Sequence, residues 1–377
     1  MNFNIPLLPI QQDLETKQVL KQLAQSYRHL SLLNGLCTTI PNENILINTL
    51  SLQEAKESNA IENIITTQDE LYKAQLNEKF FNDAAAKEVS KYANALKEGF
   101  LNVKKTKLIT NKDIKHIQQN LVGNDAGYRV NAGTVLKNER TGEVVYTPPQ
   151  DIVTIEKLMD NLVAFMNDET LSDLDPLVKM AIIHHRFETI HPFYDGNGRT
   201  GRIINILYLV KEEQLNLPIL YLSRYIIQYK ADYYRLLQQV RIDNNWETWI
   251  LFMLKGIEET SKQTIFLIEG IKKLMIDYKH RIREQCKNIY SQDLLNNLFK
   301  HPYTKIEFLE NDLHVNRQTA AKYLNILTDK GFLEKIKLGK SNFYINQPLY
   351  QLFLSGVPKA EPIDNIITEN NIFDMKK

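Results

Sequence analysis

The 377-residue sequence predicts a mainly α-helical protein with one small β-hairpin and a C-terminal winged helix-turn-helix. Three observations carry that prediction. Apolar residues recur at three- and four-residue spacing over most of the chain, the pattern of helices with one buried face. Glycine is scarce, at 14 residues against a usual share of about 7%, which leaves little material for tight turns. Strand-like runs are confined to residues 127–150 and 332–345.

Taken in order, residues 13–36 read as an amphipathic helix ending near Gly35. Ser51-Leu52-Gln53-Glu54 has the form of a capping box, so a second helix is expected to start at Ser51 and fade after Asn63. Further helical patterns cover Gln68–Leu76, Asp83–Lys104 and Asn111–Leu121. From Gly127 to Gln150 the pattern changes: Gly133-Thr-Val-Leu, a polar turn at Asn138–Gly142, and Glu143-Val-Val-Tyr-Thr-Pro-Pro read as a hairpin closed by prolines. Helices resume at Asp151–Asn167 and again after Asp175-Pro176, where Asp caps and Pro takes the first helical position. This helix should end near Ile190, because Pro192 pushes His191 out of the α region. Another runs from about Gly198 to Gln214; a tyrosine-rich segment and a long helix from about Trp246 to Asn288 follow.

The C-terminal part has its own organisation. Thr304-Lys-Ile-Glu307 has the capping-box form, Lys305–Leu313 makes a short helix, His314–Asn316 a turn, and Arg317–Asp329 a second helix ending at Gly331. Phe332–Leu338 and Ser341–Ile345 flank Gly339 like a wing, which completes a winged helix-turn-helix over 291–356. Between 317 and 340 six basic residues (Arg317, Lys322, Lys330, Lys335, Lys337, Lys340) face two acidic ones (Asp329, Glu334), so DNA is a candidate partner, with protein contact as the alternative. The tail over 357–377 is polar and expected to be loose.

Composition bounds the function. With 46 Lys+Arg against 45 Asp+Glu, the net charge is +1, which excludes a whole-chain polycation and an acidic solvating protein. The 43% hydrophobic and 24% charged fractions are those of a globular protein, with room for two or three domains. Cys37 and Cys286 cannot build a disulfide framework or a four-thiolate zinc site, so a reducing compartment is expected. MNFNIPLLPIQQDLE lacks a basic start and a long apolar stretch, and the run Ile203–Val210 is far short of a span of ~20 residues. A cytoplasmic protein without a membrane partner is the expectation.

Three of the glycines, Gly196, Gly198 and Gly201, cluster in the segment His191-Pro-Phe-Tyr-Asp195-Gly-Asn-Gly-Arg199-Thr-Gly-Arg202. Gly196–Gly201 satisfies the dinucleotide pattern G-x-G-x-x-G, but a helix precedes it and no parallel βαβ unit surrounds it, so a Rossmann site fails. Gly-Asn-Gly opening a helix still exposes backbone amides at the positive end of a dipole, which is an anion site. Arg199 and Arg202, three apart, can both reach that anion. Asp195 beside a phosphate calls for a bridging divalent cation, Mg²⁺ by preference. His191, titrating near neutrality on a non-helical backbone, suits a general base. Each residue alone has a structural reading; the four functions together within one short segment do not.

This segment resembles the Fic-family signature H-x-F-x-[D/E]-G-N-G-R-x-x-R at every defined position. The wider resemblance takes in residues 5–260, and divides the chain into an N-terminal helical region (1–105), a catalytic core (106–260), a helical linker (261–290), the winged helix and the tail. It implies a nucleotidyltransferase that moves AMP from ATP onto a protein hydroxyl. In that scheme His191 deprotonates the target Tyr, Ser or Thr, on another protein or on the enzyme itself. Asp195 holds Mg²⁺. Gly196, Asn197, Gly198 and Arg199 cradle the α- and β-phosphates, and Arg202 meets the γ-phosphate. Thr200 and Gly201 lie in the nucleotide-binding run, the hairpin Thr134–Pro149 is a flap that aligns the target by strand addition, and Tyr234 contacts the nucleotide.

Ser58-Asn-Ala-Ile-Glu62-Asn63 resembles the family's inhibitory motif [S/T]-x-x-x-E-[G/N]. The resemblance implies that Glu62 pairs with Arg202 and occupies the γ-phosphate position, with Ser58 on the same helix face. His184 and His185 read as core residues, since no H-E-x-x-H spacing accompanies them. Related proteins often pair, which leaves a homodimer open. Two other functions stay open: an ATP-sensing DNA-binding regulator with an inactive core, and removal of AMP or transfer of another phosphate-containing group at the same site.

Overall fold

The computed structural model describes residues 5–76, 84–137, 141–338 and 341–355. The predicted tail, the turn residues Asn138 to Arg140, Gly339 and Lys340 of the wing, and Asp83 lie outside the described residues. Helix α1 (Lys17–Cys37) starts at Thr16, whose hydroxyl accepts from the Val19 amide. Helix α2 (Glu43–Ile61) starts well before the predicted Ser51, because the Asn42 side chain accepts from the Asn44 amide and caps it there. Ser51 is buried mid-helix and its hydroxyl donates to the Pro218 carbonyl at 3.2 Å. The Ser-x-x-Glu pattern arises because Ser51 and Glu54 both serve the interior, a use of polar residues that imitates a cap in sequence.

Helices α3 (Gln68–Leu76), α4 (Ala84–Thr106) and α5 (Asn111–Val122) fall where the apolar spacing placed them. Thr110 and Asp113 close a true capping box on α5, and Gly123 at φ 83° ends it. The hairpin is short: β1 (Leu136–Lys137) pairs antiparallel with β2 (Val144–Tyr146). Then come α6 (Ile152–Asn167), capped by Asp151, and α7 (Pro176–Ile190), capped by Asp175. Helix α8 (Asn197–Lys211) is followed by α9 (Leu222–Gln228), α10 (Lys230–Asp243) and the 40-residue α11 (Trp246–Gln285). The tyrosine-rich segment is thus α9 and α10.

Beyond α11 lie α12 (Gln292–Lys300), β3 (Tyr303–Thr304), α13 (Ile306–Leu313), α14 (Arg317–Asp329), β4 (Glu334–Leu338), β5 (Ser341–Ile345) and α15 (Gln347–Ser355). The three strands form one antiparallel sheet in the order β3-β5-β4. Thr304 does not cap α13. It pairs with Tyr344 in the sheet, and its hydroxyl donates to Asn297 at 2.9 Å, while Glu307 pairs with Lys305 at 2.8 Å. The helix cap is Lys305. This module rests on the N-terminal helices: α12 contacts α2, and the Tyr303 ring stacks on Tyr72 of α3 at 5.5 Å while its hydroxyl donates to Asp69.

The two helices that flank the glycine-rich segment, α7 and α8, sit in the centre, and every residue of α7 from Leu177 onward is buried. Their close approach depends on Gly201: a Cβ there would lie 2.8 Å from Glu188 Oε1 and 3.0 Å from Phe187. Trp249 of α11 is fully buried, donates to the Ala181 carbonyl at 2.8 Å, and so fastens α11 to α7. Trp249→Ala should cost about 3–5 kcal/mol, the usual range for emptying an aromatic site, read from urea denaturation. A loss below about 1 kcal/mol would mean that α7 is held by other contacts.

Candidate active site

The site begins at the carbonyl end of α7. His191 takes φ 49° and ψ 58°, a left-handed turn that few non-glycine residues adopt, with its amide donating to Phe187 at 2.9 Å. Sequence reasoning expected it to leave the α region; the structure shows that it does so by reversing the chain's hand. Burial, and after it the guanidiniums of Arg129 and Arg241, lowers the His191 pKa to about 4, with Glu62 and the Glu188 backbone opposing. The imidazole is therefore neutral at neutral pH and can accept a proton.

After Pro192 the chain turns into α8. Gly196 at φ 80° is the helix N-cap, and a Cβ there would meet Val122 at 2.9 Å, so only glycine fits both its backbone and its space. The first intrahelical bond runs from the Thr200 amide to the Gly196 carbonyl at 2.9 Å, so the amides before it point out of the helix end. Asn197 contributes by holding the loop: its side chain accepts from the Phe193 amide at 2.9 Å and donates to the Phe193 carbonyl at 2.8 Å. Asp195 accepts from the Gly196 amide at 2.6 Å, with its side chain 69% exposed. A single exposed carboxylate beside outward-pointing amides fits a cation that arrives with phosphates; among the described residues no group of three or more metal-ligating side chains occurs.

The two arginines differ. Arg199 is buried, pairs with Glu88 of α4 at 2.7 Å and lies 3.7 Å from Asp195. Arg202 is 3% exposed and is paired by α2: Nε donates to Ser58 Oγ at 2.8 Å, and Nη2 donates to the Ser58 carbonyl at 3.0 Å and to Glu62 Oε1 at 2.8 Å. Burial lowers the Arg202 pKa, but Glu62, together with Tyr233 and Tyr92, more than offsets this and the guanidinium is held firmly charged. Burial likewise raises the Glu62 pKa, and Arg202, followed by Arg199 and Lys230, brings it below the usual carboxylate value. Gly198 supplies the space: a Cβ would lie 2.4 Å from Glu62 Oε1 and 2.9 Å from Arg202 Nη1. Glu62 thus reaches over the first turn of α8.

The remaining predicted residues divide. Thr200 is fully buried and Gly201 faces α7 across the helix interface, so neither lies on the exposed lip of the site. Tyr234 is 47% exposed, edge-on to the buried Tyr233 at 5.1 Å between ring centroids; Tyr233 in turn bonds His184 at 2.9 Å. His184 and His185 are core residues, bonded to Tyr233 and to the Leu237 carbonyl. Sequence reasoning missed four groups. Arg129 and Arg241 surround His191. Glu88 partners Arg199. Buried Glu54 accepts from the Ser223 hydroxyl, the Ser223 amide at 3.1 Å and Tyr92 at 3.1 Å, one turn above Ser58. Glu54 hid inside the apparent capping box, and Arg129 inside a strand-like run.

The glycine-opened helix, the histidine turn and the paired arginines lie together in one helical core. Residues 20–101 match the Fic/DOC family N-terminal domain, residues 108–209 the Fic/DOC family, and residues 274–349 the C-terminal domain of SoFic-like protein adenylyltransferases. Together they take in more than half of the chain, which belongs to the Fic/DOC family. The protein adenylyltransferase fic-1 of Caenorhabditis briggsae is 34% identical over 102 residues, 26% of this chain and 19% of that protein, so the match spans about a fifth of that relative. A Fic family protein from Desulfovibrio desulfuricans superposes with a TM-score of 0.57 at 19% identity, covering 95% of this chain and 100% of that one. A Fic domain containing signaling protein from Bacteroides thetaiotaomicron gives 0.53 at 20% identity over 66% and 98%. At these identities the structural likeness is one of fold. Among the described residues no helix is long and apolar enough to cross a membrane.

The Glu62 pair has a pH signature. Its pKa is lowered on folding, so the stability it contributes is present above the ordinary carboxylate value of 4.5 and is lost as pH falls through the lowered value. The stability difference between the native chain and Glu62→Gln should be constant above pH ~5 and close below it, measured by denaturation at a series of pH values. A gap independent of pH would mean that Glu62 does not carry its charge in the pair.

Proposed function

We propose that the chain is a protein adenylyltransferase, moving AMP from ATP to a Tyr, Ser or Thr hydroxyl of a target protein or of itself, and that Glu62 holds it inhibited. The observation that carries this reading is the Glu62 carboxylate on Arg202 at 2.8 Å over the open end of α8. An acidic side chain stands where two arginines and a helix N-terminus favour phosphate.

In this reading the neutral His191 imidazole takes the proton of the attacking hydroxyl. The new bond joins that oxygen to the α-phosphorus, the bond to the β-phosphate oxygen breaks, and pyrophosphate leaves. The amides at Asn197 and Gly198, on the loop that Gly196 turns, and the Arg199 guanidinium bind the α- and β-phosphates. Arg202, once Glu62 withdraws, binds the γ-phosphate. Asp195 would hold Mg²⁺, which offsets phosphate charge when bound. The hairpin of β1 and β2, tied to the end of α7 through the Tyr146 hydroxyl, would align the target segment by strand addition, with Gln238 giving up the Val145 carbonyl it now holds at 3.1 Å.

A second property is supported by the C-terminal module, which we read as a winged helix. Arg317 and Lys322 on α14 and Lys335 and Lys337 on β4 are exposed and could meet DNA phosphates. If so, duplex binding should weaken steeply with salt and fall further in Arg317→Ala/Lys322→Ala; binding indifferent to both changes would leave these residues merely solvated.

Glu62→Gly should raise incorporation of AMP from labelled ATP, with intact-mass additions of ~329 Da, the mass of AMP less water. Equal labelling of the native chain and this variant would remove the inhibition. In the same background His191→Ala should lower transfer by ~10²-fold or more while nucleotide binding persists; unchanged transfer would assign the base elsewhere.

A further inference from the structure

The last carbonyls of a helix lack partners within it and carry the negative end of its dipole. At the end of α7 those carbonyls are taken by three side chains from other elements. Arg241 of α10 donates to the Glu188 carbonyl at 3.3 Å, and the Tyr146 hydroxyl of β2 donates to the Thr189 carbonyl at 2.9 Å. Arg129 takes the next two, donating through Nε to the His191 carbonyl at 2.8 Å and through Nη2 to the Ile190 carbonyl at 3.5 Å. The same Nη2 donates to the Pro149 carbonyl at the base of the hairpin, and the Arg129 amide donates to Pro192 at 2.9 Å.

Arg129 is 1% exposed, and among the described residues no carboxylate pairs with it. A buried cation held by backbone oxygens, with its Nη1 unpartnered, is costly, and it stands where the carbonyl end of α7 favours positive charge. Its neighbours hold the same register. The Tyr128 ring lies 5.2 Å from Phe193, and the Val130 and Asn131 amides both donate to the Tyr194 hydroxyl at 3.0 Å. Residues 128–131 therefore run alongside the histidine turn, and Arg129 reaches beneath it to the hairpin.

We propose that Arg129 is a positioning residue for the transfer reaction, fixing the left-handed turn of His191 and the base of the hairpin as one unit. The inference rests on the adenylyltransferase reading for its rate consequence, but not for its structural one. The charged groups acting on His191 are Arg129 from its loop, Arg241 from α10 and Glu62 at the end of α2, with the Glu188 backbone beside the ring. Burial does most to keep the imidazole neutral and two guanidiniums add to it; removing the Arg129 cation removes one of them, so the acid limb of the rate profile moves to higher pH.

The test uses the full chain carrying Glu62→Gly, with Arg129→Met and Arg129→Lys added. Expected are a fall in kcat of ~10²-fold for Met, the range of a small misplacement of a reacting group, partial recovery for Lys, nucleotide affinity within ~2-fold, and an acid limb displaced upward. NMR titration of the His191 imidazole, assigned by its loss in His191→Ala, reads the same effect without turnover. Arg129→Gln, which also lacks the cation, takes the place of Met if the Met variant does not fold. A folded Arg129→Met variant whose kcat and acid limb match the parent, or whose His191 midpoint is unmoved, overturns the proposal. Absence of transfer in the Glu62→Gly parent counts against the adenylyltransferase reading, and the imidazole titration then decides the role of Arg129 by itself.

Discussion

A guanidinium sealed inside a helical core must be paired, because an unpaired buried cation costs more than the surrounding packing readily supplies. Arg202 is that cation. Its partners, the Ser58 hydroxyl, the Ser58 carbonyl and the Glu62 carboxylate, all come from the last turn of α2. The pairing fixes where α2 ends and which face it presents to α8. It also places a carboxylate over the outward-pointing amides of α8. The proposed inhibition and the integrity of the core thus depend on one interaction, and whatever displaces Glu62 must satisfy Arg202 in its place. A phosphate is chemically suited to do so.

The pairing is supported from behind. One turn above Ser58, the Glu54 carboxyl is buried and its pKa is raised by that burial to about 7, offset in part by Ser223 and Arg202. Its bonds to Ser223 and Tyr92 tie α2 to α9 and α4. Tyr72 and Asp69 of α3, a few residues beyond Glu62, carry the C-terminal module through Tyr303. The helix that leads to Glu62 is therefore clasped between α8 and residues more than two hundred positions away in sequence.

Most helices were legible because their apolar periodicity is local. The bounds of α3 and α14 follow from spacing and flanking residues alone. Ser51 and Thr304 show where such reading fails. Both begin a Ser/Thr-x-x-Glu pattern, yet Ser51 bonds Pro218 and Thr304 bonds Asn297 and sits in a sheet. Nothing local distinguishes a polar side chain saved for a distant partner from one that caps its own helix. Asn197 is a milder case: its place in the motif suggested ligand contact, whereas its side chain is spent on Phe193.

The sequence by itself determined the helical class, the clustering of histidine, aspartate, glycines and arginines within one turn-and-helix segment, and the fourfold spacing that puts Ser58 and Glu62 on one face. These depend on neighbours along the chain, and local geometry suffices for them. Only the tertiary structure decided that Arg202 is buried against α2, that Arg199 is claimed by Glu88, and that Arg129, Tyr146 and Arg241 close the end of α7 beneath His191. The physical reason is that a charged or polar side chain is stable inside a protein only with a partner, and the partner's identity is set by folding rather than by sequence distance.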